Sequence, residues 1–231
     1  MTLVVGIIAK DGIVFTSDTR MTSDITSNDE VKKIFRLNDH SAIGMAGDGT
    51  LGIHFIELIS EQLTFEHGIV SLVEQIREKG KNKFEEYFSH LLPEKRPSLV
   101  FLVAGYTKKQ EPKIYQLNSR DNFVPRQSTT GFDSIGVPYF ADYLLTRFYE
   151  KDITISNAQI LGAFCIMETE TQAHGVGPKI NIASFSQTRN YSELKPLEIN
   201  EIKSRCAALH ILNKNKFYPE EITEDLPPPK Q

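Results

Sequence analysis

Several absences narrow what this chain can be. Only two cysteines occur in 231 residues, Cys165 and Cys206. Both fall in helix-like apolar patterns, so a disulfide-stapled secreted scaffold is excluded and a reducing cytoplasm is the expected setting. No apolar run is long enough to span a bilayer. The first, Leu3 to Ala9, stops at Lys10-Asp11 with no basic region before it, which excludes a signal peptide and a membrane segment there. No basic run is present either. The 26 Lys and Arg are interspersed with 30 Asp and Glu for a net charge of −4, so neither nucleic acid nor a membrane surface is an expected partner. No glycine-rich phosphate loop appears, and the six histidines lack metal-ligand spacing, so no nucleotide, metal or other cofactor is expected. Without a Pro/Gly/Ser-rich linker or an internal repeat, residues 1–213 read as one domain. The remainder, 214–231, is an acidic, proline-rich tail whose composition cannot build core.

What is present has a clear order. Apolar stretches near 2–9, 13–18, 33–38 and 41–46 read as strands, and helical spacing follows over about 48–64, behind a capping Asp48, and 69–92. Strands are expected again around 98–106, 112–118 and 123–130, with Lys108-Lys109-Gln110-Glu111-Pro112 as a turn. Helices at about 137–150 and 155–171, a strand at 179–186 and a helix at 199–213 complete the chain. Strands, two helices, strands, two helices, strand: this order implies an α+β fold of four layers, αββα, in which two helix layers enclose two stacked antiparallel sheets.

Thr2 follows the initiator methionine. Methionine is commonly trimmed ahead of a small side chain, and the trimmed chain carries a hydroxyl nucleophile and a free α-amine on one residue. Such an amine, with an unperturbed pKa of about 7.7 to 8.0, can act as the base that activates the threonine. Polar residues then recur at strand ends: Asp18 closes one stretch, Lys32-Lys33 opens another and Ala46-Gly47-Asp48-Gly49 ends a third.

With these residues in order the chain resembles the proteasome β-subunit family of N-terminal nucleophile hydrolases, most nearly its divergent bacterial members. The resemblance rests on Thr2 through Gly6, Lys10-Asp11-Gly12, Ser17-Asp18-Thr19-Arg20, Lys32-Lys33-Ile34-Phe35 and Gly44-Met45-Ala46-Gly47-Asp48. It implies the same αββα fold and a threonine endopeptidase with Thr2 as nucleophile, Lys33 as the nearby positive charge, Asp18 as its partner and Gly47 as oxyanion donor. Lys32 is the rival to Lys33, and because strand side chains alternate between faces only one of the two can point at Thr2. The resemblance further implies a first specificity pocket lined by Met21, Val31, Met45 and Gly49, apolar and suited to hydrophobic residues. Unfolded polypeptides or peptides are the implied substrates, a homo-oligomeric ring or double ring the implied assembly, and an ATP-dependent unfoldase a further partner.

Two stretches depart from the family pattern. Where members place a serine in a Gly-Ser-Gly turn, this chain has Asp133-Ser134-Ile135-Gly136-Val137-Pro138, with Ile135 in the expected slot unless Ser134 slides into it. Where they place an Asp-x-x-Ser-Gly element, it has Gln172-Ala173-His174-Gly175-Val176-Gly177-Pro178. These losses keep open a second reading, a non-hydrolytic relative that serves as an assembly subunit or passes the Thr2 ester to an amine.

Overall fold

The computed structural model describes residues 2–22 and 26–217, with backbone alone from 210. Residues 218–231, most of the expected tail, lie outside the described residues. Twelve strands and five α-helices follow in chain order: β1 Leu3–Ala9, β2 Gly12–Asp18, β3 Met21–Thr22, β4 Ser27–Asn28, β5 Ile34–Asn38, β6 Ser41–Gly47, α1 Gly49–Ser60, α2 Gly68–Phe88, β7 Leu99–Tyr106, β8 Pro112–Asn118, β9 Arg126–Gln127, β10 Phe132–Gly136, α3 Pro138–Phe148, α4 Ile155–Gln172, β11 Ile180–Phe185, β12 Ser192–Glu193 and α5 Pro196–Phe217. Among the described residues no helix is long and apolar enough to cross a membrane.

Among the described residues two five-stranded antiparallel sheets form, ordered β10-β1-β2-β11-β12 and β5-β6-β7-β8-β9, beside a two-stranded β3-β4 pair. Their strands are apolar on both faces because each sheet is covered twice. In β1, Leu3, Val5 and Ile7 join a core beneath α3, α4 and α5, while Val4 points into a second core between the sheets. Likewise β7 sends Leu99, Phe101 and Val103 toward α1 and α2, and Leu102 and Ala104 toward the other sheet. A period of two thus divides each strand between two cores. The result is the four-layer αββα sandwich. Helix α4 buries residues around most of its circumference, including Ile155, Ala158, Leu161, Cys165 and Thr169, because it lies on β1 and β2 and touches both α3 and α5.

Three expectations needed correction. The stretch 123–130 forms strand only at Arg126–Gln127. Asn122 and Phe123 adopt positive φ, 53° and 56°, turning the chain so that Phe123 drops into the core between Phe84 and Phe101. The strand that edges the first sheet is instead Phe132–Gly136, read from sequence as a turn, which pairs with β1 from Leu3↔Gly136 to Ile7↔Phe132. Cross-strand pairing overrode local propensity there. The last helix also starts earlier than expected and runs on through Phe217.

Phe15 is fully buried in the inter-sheet core and stacks near Phe185. Its truncation to alanine is expected to cost about 3–5 kcal/mol, read as a lowered urea midpoint with an unchanged m-value.

Candidate active site

Strand β2 ends on Asp18, and the surrounding backbone converges on its carboxylate. Oδ1 accepts the Leu3 N–H at 2.9 Å, and Oδ2 accepts those of Arg20 at 2.9 Å and Gly177 at 3.0 Å. Lys33, at the entrance to β5, donates to both carboxylate oxygens at 2.8 Å and to the Arg20 carbonyl at 2.5 Å. Both side chains are buried, at 2% and 0% exposure. Burial pulls the Lys33 pKa below the usual 10.5, and the Asp18 charge acts in the opposite direction. An ammonium has three donors, and these three acceptors take them all, so Lys33 offers its surroundings a fixed positive charge. Lys32 points elsewhere: its Nζ meets Glu193 on β12 at 2.6 Å, with both groups about half exposed.

Lys33 forms part of the wall of a cleft of about 270 Å³. Thr2, Met21, Val31, Met45, Gly47 and Gly49 line the same cleft, so seven of the eight sequence-predicted site residues meet there, with Asp18 directly behind Lys33. The structure adds residues that the sequence reading missed. Thr22, Thr26, Asn28 and Thr50 give the cleft a polar rim; the short β3–β4 pair, with Met21 opposite Asn28 and Thr22 opposite Ser27, brings the first three, and the first turn of α1 brings Thr50. Composition carried no signal for them, since threonine and asparagine in a turn-like stretch read as ordinary loop.

Thr2 is mostly buried, and its carbonyl accepts the Val137 N–H at 2.9 Å. Gly47 sits at a φ of +108°, where a β-carbon would overlap the Ser98 carbonyl, so glycine is required at that turn. Asp48 then caps α1 by accepting the Leu51 N–H at 3.0 Å. The positive end of α1 therefore lies at the cleft, close to where negative charge would develop on a bound carbonyl.

Arg20 is the node that the sequence did not single out. Its guanidinium meets both oxygens of Asp29, at 2.7 and 3.1 Å, and donates to the His174 carbonyl at 2.9 Å. The hydrogen bond from Arg20 holds the Asp29 pKa below its ordinary value. Residues 19–20 and 29–31 are thus held together, helped by Thr19 donating to the Asp29 carbonyl at 2.7 Å and by the Val31 N–H on the Thr19 carbonyl at 3.0 Å.

The divergent stretches behave differently from their sequence reading. Ile135 enters the inter-sheet core, and the Ser134 hydroxyl donates to Asp142 on α3 at 2.5 Å. Neither reaches Thr2. The turn reaches Thr2 through its backbone instead, by the Val137 N–H two positions on from the expected slot and by the close approach of Gly136. The Gln172–Pro178 stretch also contributes backbone, through Gly177 N–H and His174 C=O.

This fold and cleft define a class, the four-layer αββα sandwich with a threonine immediately before its first strand. Residues 2–184 match the family described as Proteasome subunit, and the chain belongs to that family. Among curated relatives, "Proteasome subunit alpha" of Saccharolobus islandicus is 26% identical over 195 residues, covering 83% of this chain and 78% of its own. "Proteasome subunit beta" of Methanopyrus kandleri is 22% identical over 209 residues, covering 88% and 95%. Among solved structures, an Anbu mutant from Hyphomicrobium sp. strain MC1 has the same fold, with a TM-score of 0.76 at 16% identity over 96% of this chain and 98% of that one. Alpha and beta relatives stand at similar identity, so family membership leaves the subunit type to the site chemistry.

Asp18→Asn leaves the buried Lys33 charge without its counterion and is expected to lower stability by about 3–5 kcal/mol. Lys32→Ala, which breaks a half-exposed pair, should stay within about 1 kcal/mol. Urea unfolding of the two variants side by side checks the contrast, and equal losses would contradict it.

Proposed function

We propose that this chain is a threonine endopeptidase of the N-terminal nucleophile type, a β-type subunit of a proteasome-like particle. The observation that carries the reading is the saturated Asp18–Lys33 pair opening onto the same cleft as Thr2 and the Gly47 turn. Removal of Met1 frees the Thr2 amine. The amine takes the proton from Oγ1, which attacks the scissile carbonyl, and the oxyanion forms between the Gly47 N–H and the α1 terminus. The amine passes its proton to the departing amine, leaving an ester on Thr2. A water then attacks that ester, with the amine again as base, and the acid product leaves. Lys33 favours every species in which Oγ1 gains negative character.

Met21, Val31, Met45 and Gly49 offer an apolar surface to the side chain before the scissile bond, and the threonine and asparagine rim suits main-chain groups of an extended peptide. Peptides or unfolded polypeptides are the fitting substrates. A homo-oligomeric ring or double ring in the cytoplasm, with an ATP-dependent unfoldase as a further partner, accords with family membership. One observation favours the alternative of a non-hydrolytic relative or ester-transferring enzyme: the Ser134 hydroxyl is bonded to Asp142 on α3 and Ile135 enters the inter-sheet core.

Intact mass is expected to show loss of Met1, and Thr2→Ala should abolish hydrolysis of fluorogenic peptides while the fold is kept. Retained Met1, or turnover by Thr2→Ala, would overturn the reading. The rate should rise as the amine loses its proton and fall as pH climbs through the lowered Lys33 pKa, because the positive charge is then gone. The alkaline limb therefore lies below 10.5, which a kcat profile against pH will locate.

Peptides with Leu, Phe or Tyr before the scissile bond should be cleaved faster than those with Arg or Glu. An unpaired charge buried on this lining costs several kcal/mol, against about 1 to 3 for a methylene. A panel differing at that one residue checks the order, and a preference for Arg or Glu would contradict it.

A further inference from the structure

We infer that Gly136 and Gly177 are positioning residues for the reaction, holding nucleophile and acid through backbone contacts where this chain lacks the family's polar side chains. The inference rests on the hydrolase reading above. Gly136 lies opposite Leu3 in the β10–β1 pairing, at a φ of +99°, and a β-carbon on it would overlap the Thr2 carbonyl oxygen and crowd its carbon. Because there is none, β10 closes directly onto Thr2, and the next residue, Val137, donates its N–H to the same carbonyl at 2.9 Å. Thr2 is thereby fixed by its backbone two residues into the chain, a position where ends usually fray.

Gly177 does the same for the acid. Its N–H reaches Asp18 Oδ2 at 3.0 Å, and a β-carbon there would overlap that of Arg20. Arg20 cannot move aside, since Asp29 and the His174 carbonyl hold its guanidinium and its own N–H is bonded to Asp18. A side chain at 177 therefore displaces the loop from Asp18, and with it one of the three N–H groups that orient the carboxylate toward Lys33. Both contacts act on geometry through other residues, and neither glycine lines the substrate cleft, so the effect belongs on the chemical step.

The test compares Gly136→Ala, Gly177→Ala and wild type in two assays. One is peptide hydrolysis resolved into kcat and KM. The other is the rate at which a β-lactone, a threonine-directed electrophile, adds its mass to the chain. Displacement of reacting groups by about 1 Å costs on the order of a hundredfold, so both variants should lose about that factor in kcat and in labelling rate, with KM little changed. Gly131→Ala is the control. It imposes similar backbone strain, at a φ of +88°, but its β-carbon meets Tyr149, so stability should fall while labelling per folded molecule holds. If Gly136→Ala does not fold, Gly177→Ala carries the test, because its backbone lies outside the positive-φ region. Folded variants that label as fast as wild type overturn the inference while the hydrolase reading stands. A wild type that is neither labelled nor active overturns both.

Discussion

A buried ion pair, Asp18 with Lys33, is the constraint on which the rest of the site depends. Asp18 ends a strand of one sheet and Lys33 enters a strand of the other, so the pair exists only when the sheets are stacked in register. Isolated, either charge would be costly to bury. Together, with three backbone N–H groups on the carboxylate and a carbonyl on the ammonium, every polar valence is met. Replacement of such a pair by apolar residues is often neutral or stabilising, and its presence accords with the proposed role of a fixed charge beside Thr2.

Three cores keep that register. The inter-sheet core holds the sheets face to face, and the two outer cores press helices onto them. The cleft forms at the edge of this packing, where β1 begins and where β2 and β6 end. Strand ends supply side chains and turn groups that the interior of a sheet cannot spare, because interior backbone is already committed to the ladder. Gly47 illustrates the point: it leaves β6, turns past Ser98 at positive φ, and brings the start of α1 to the cleft.

The divergent loops change how the site is held more than what it contains. Backbone groups of Val137 and Gly177 contact Thr2 and Asp18, and Arg20 joins Asp29 to the His174 carbonyl. Backbone contacts depend little on side-chain identity, provided that nothing larger than hydrogen stands in the way. A chain can therefore lose the family's polar side chains at these loops while the geometry around Thr2 and Asp18 persists.

Much of this was legible in the sequence, for a local reason. Strands β1, β2, β5 and β6 announce themselves by apolar runs, and Asp48 by its place before a helical pattern. The motif residues lie at the ends of those strands, but their assignment to one site rests on the resemblance to the proteasome β-subunit family; alternation adds only that Lys32 and Lys33 face different ways. What sequence could not supply is what two distant segments do to each other. Phe132–Gly136 becomes a strand because β1 offers it an edge, Val137 rather than Ile135 meets Thr2 because that pairing fixes the register, and Gly177 reaches Asp18 across 159 positions of sequence. Local patterning determined the layers, and the motifs at the strand ends the candidate side chains. Only tertiary packing decided which backbone groups hold them, because a peptide N–H is the same at nearly every residue and acquires a role only from what lies opposite it.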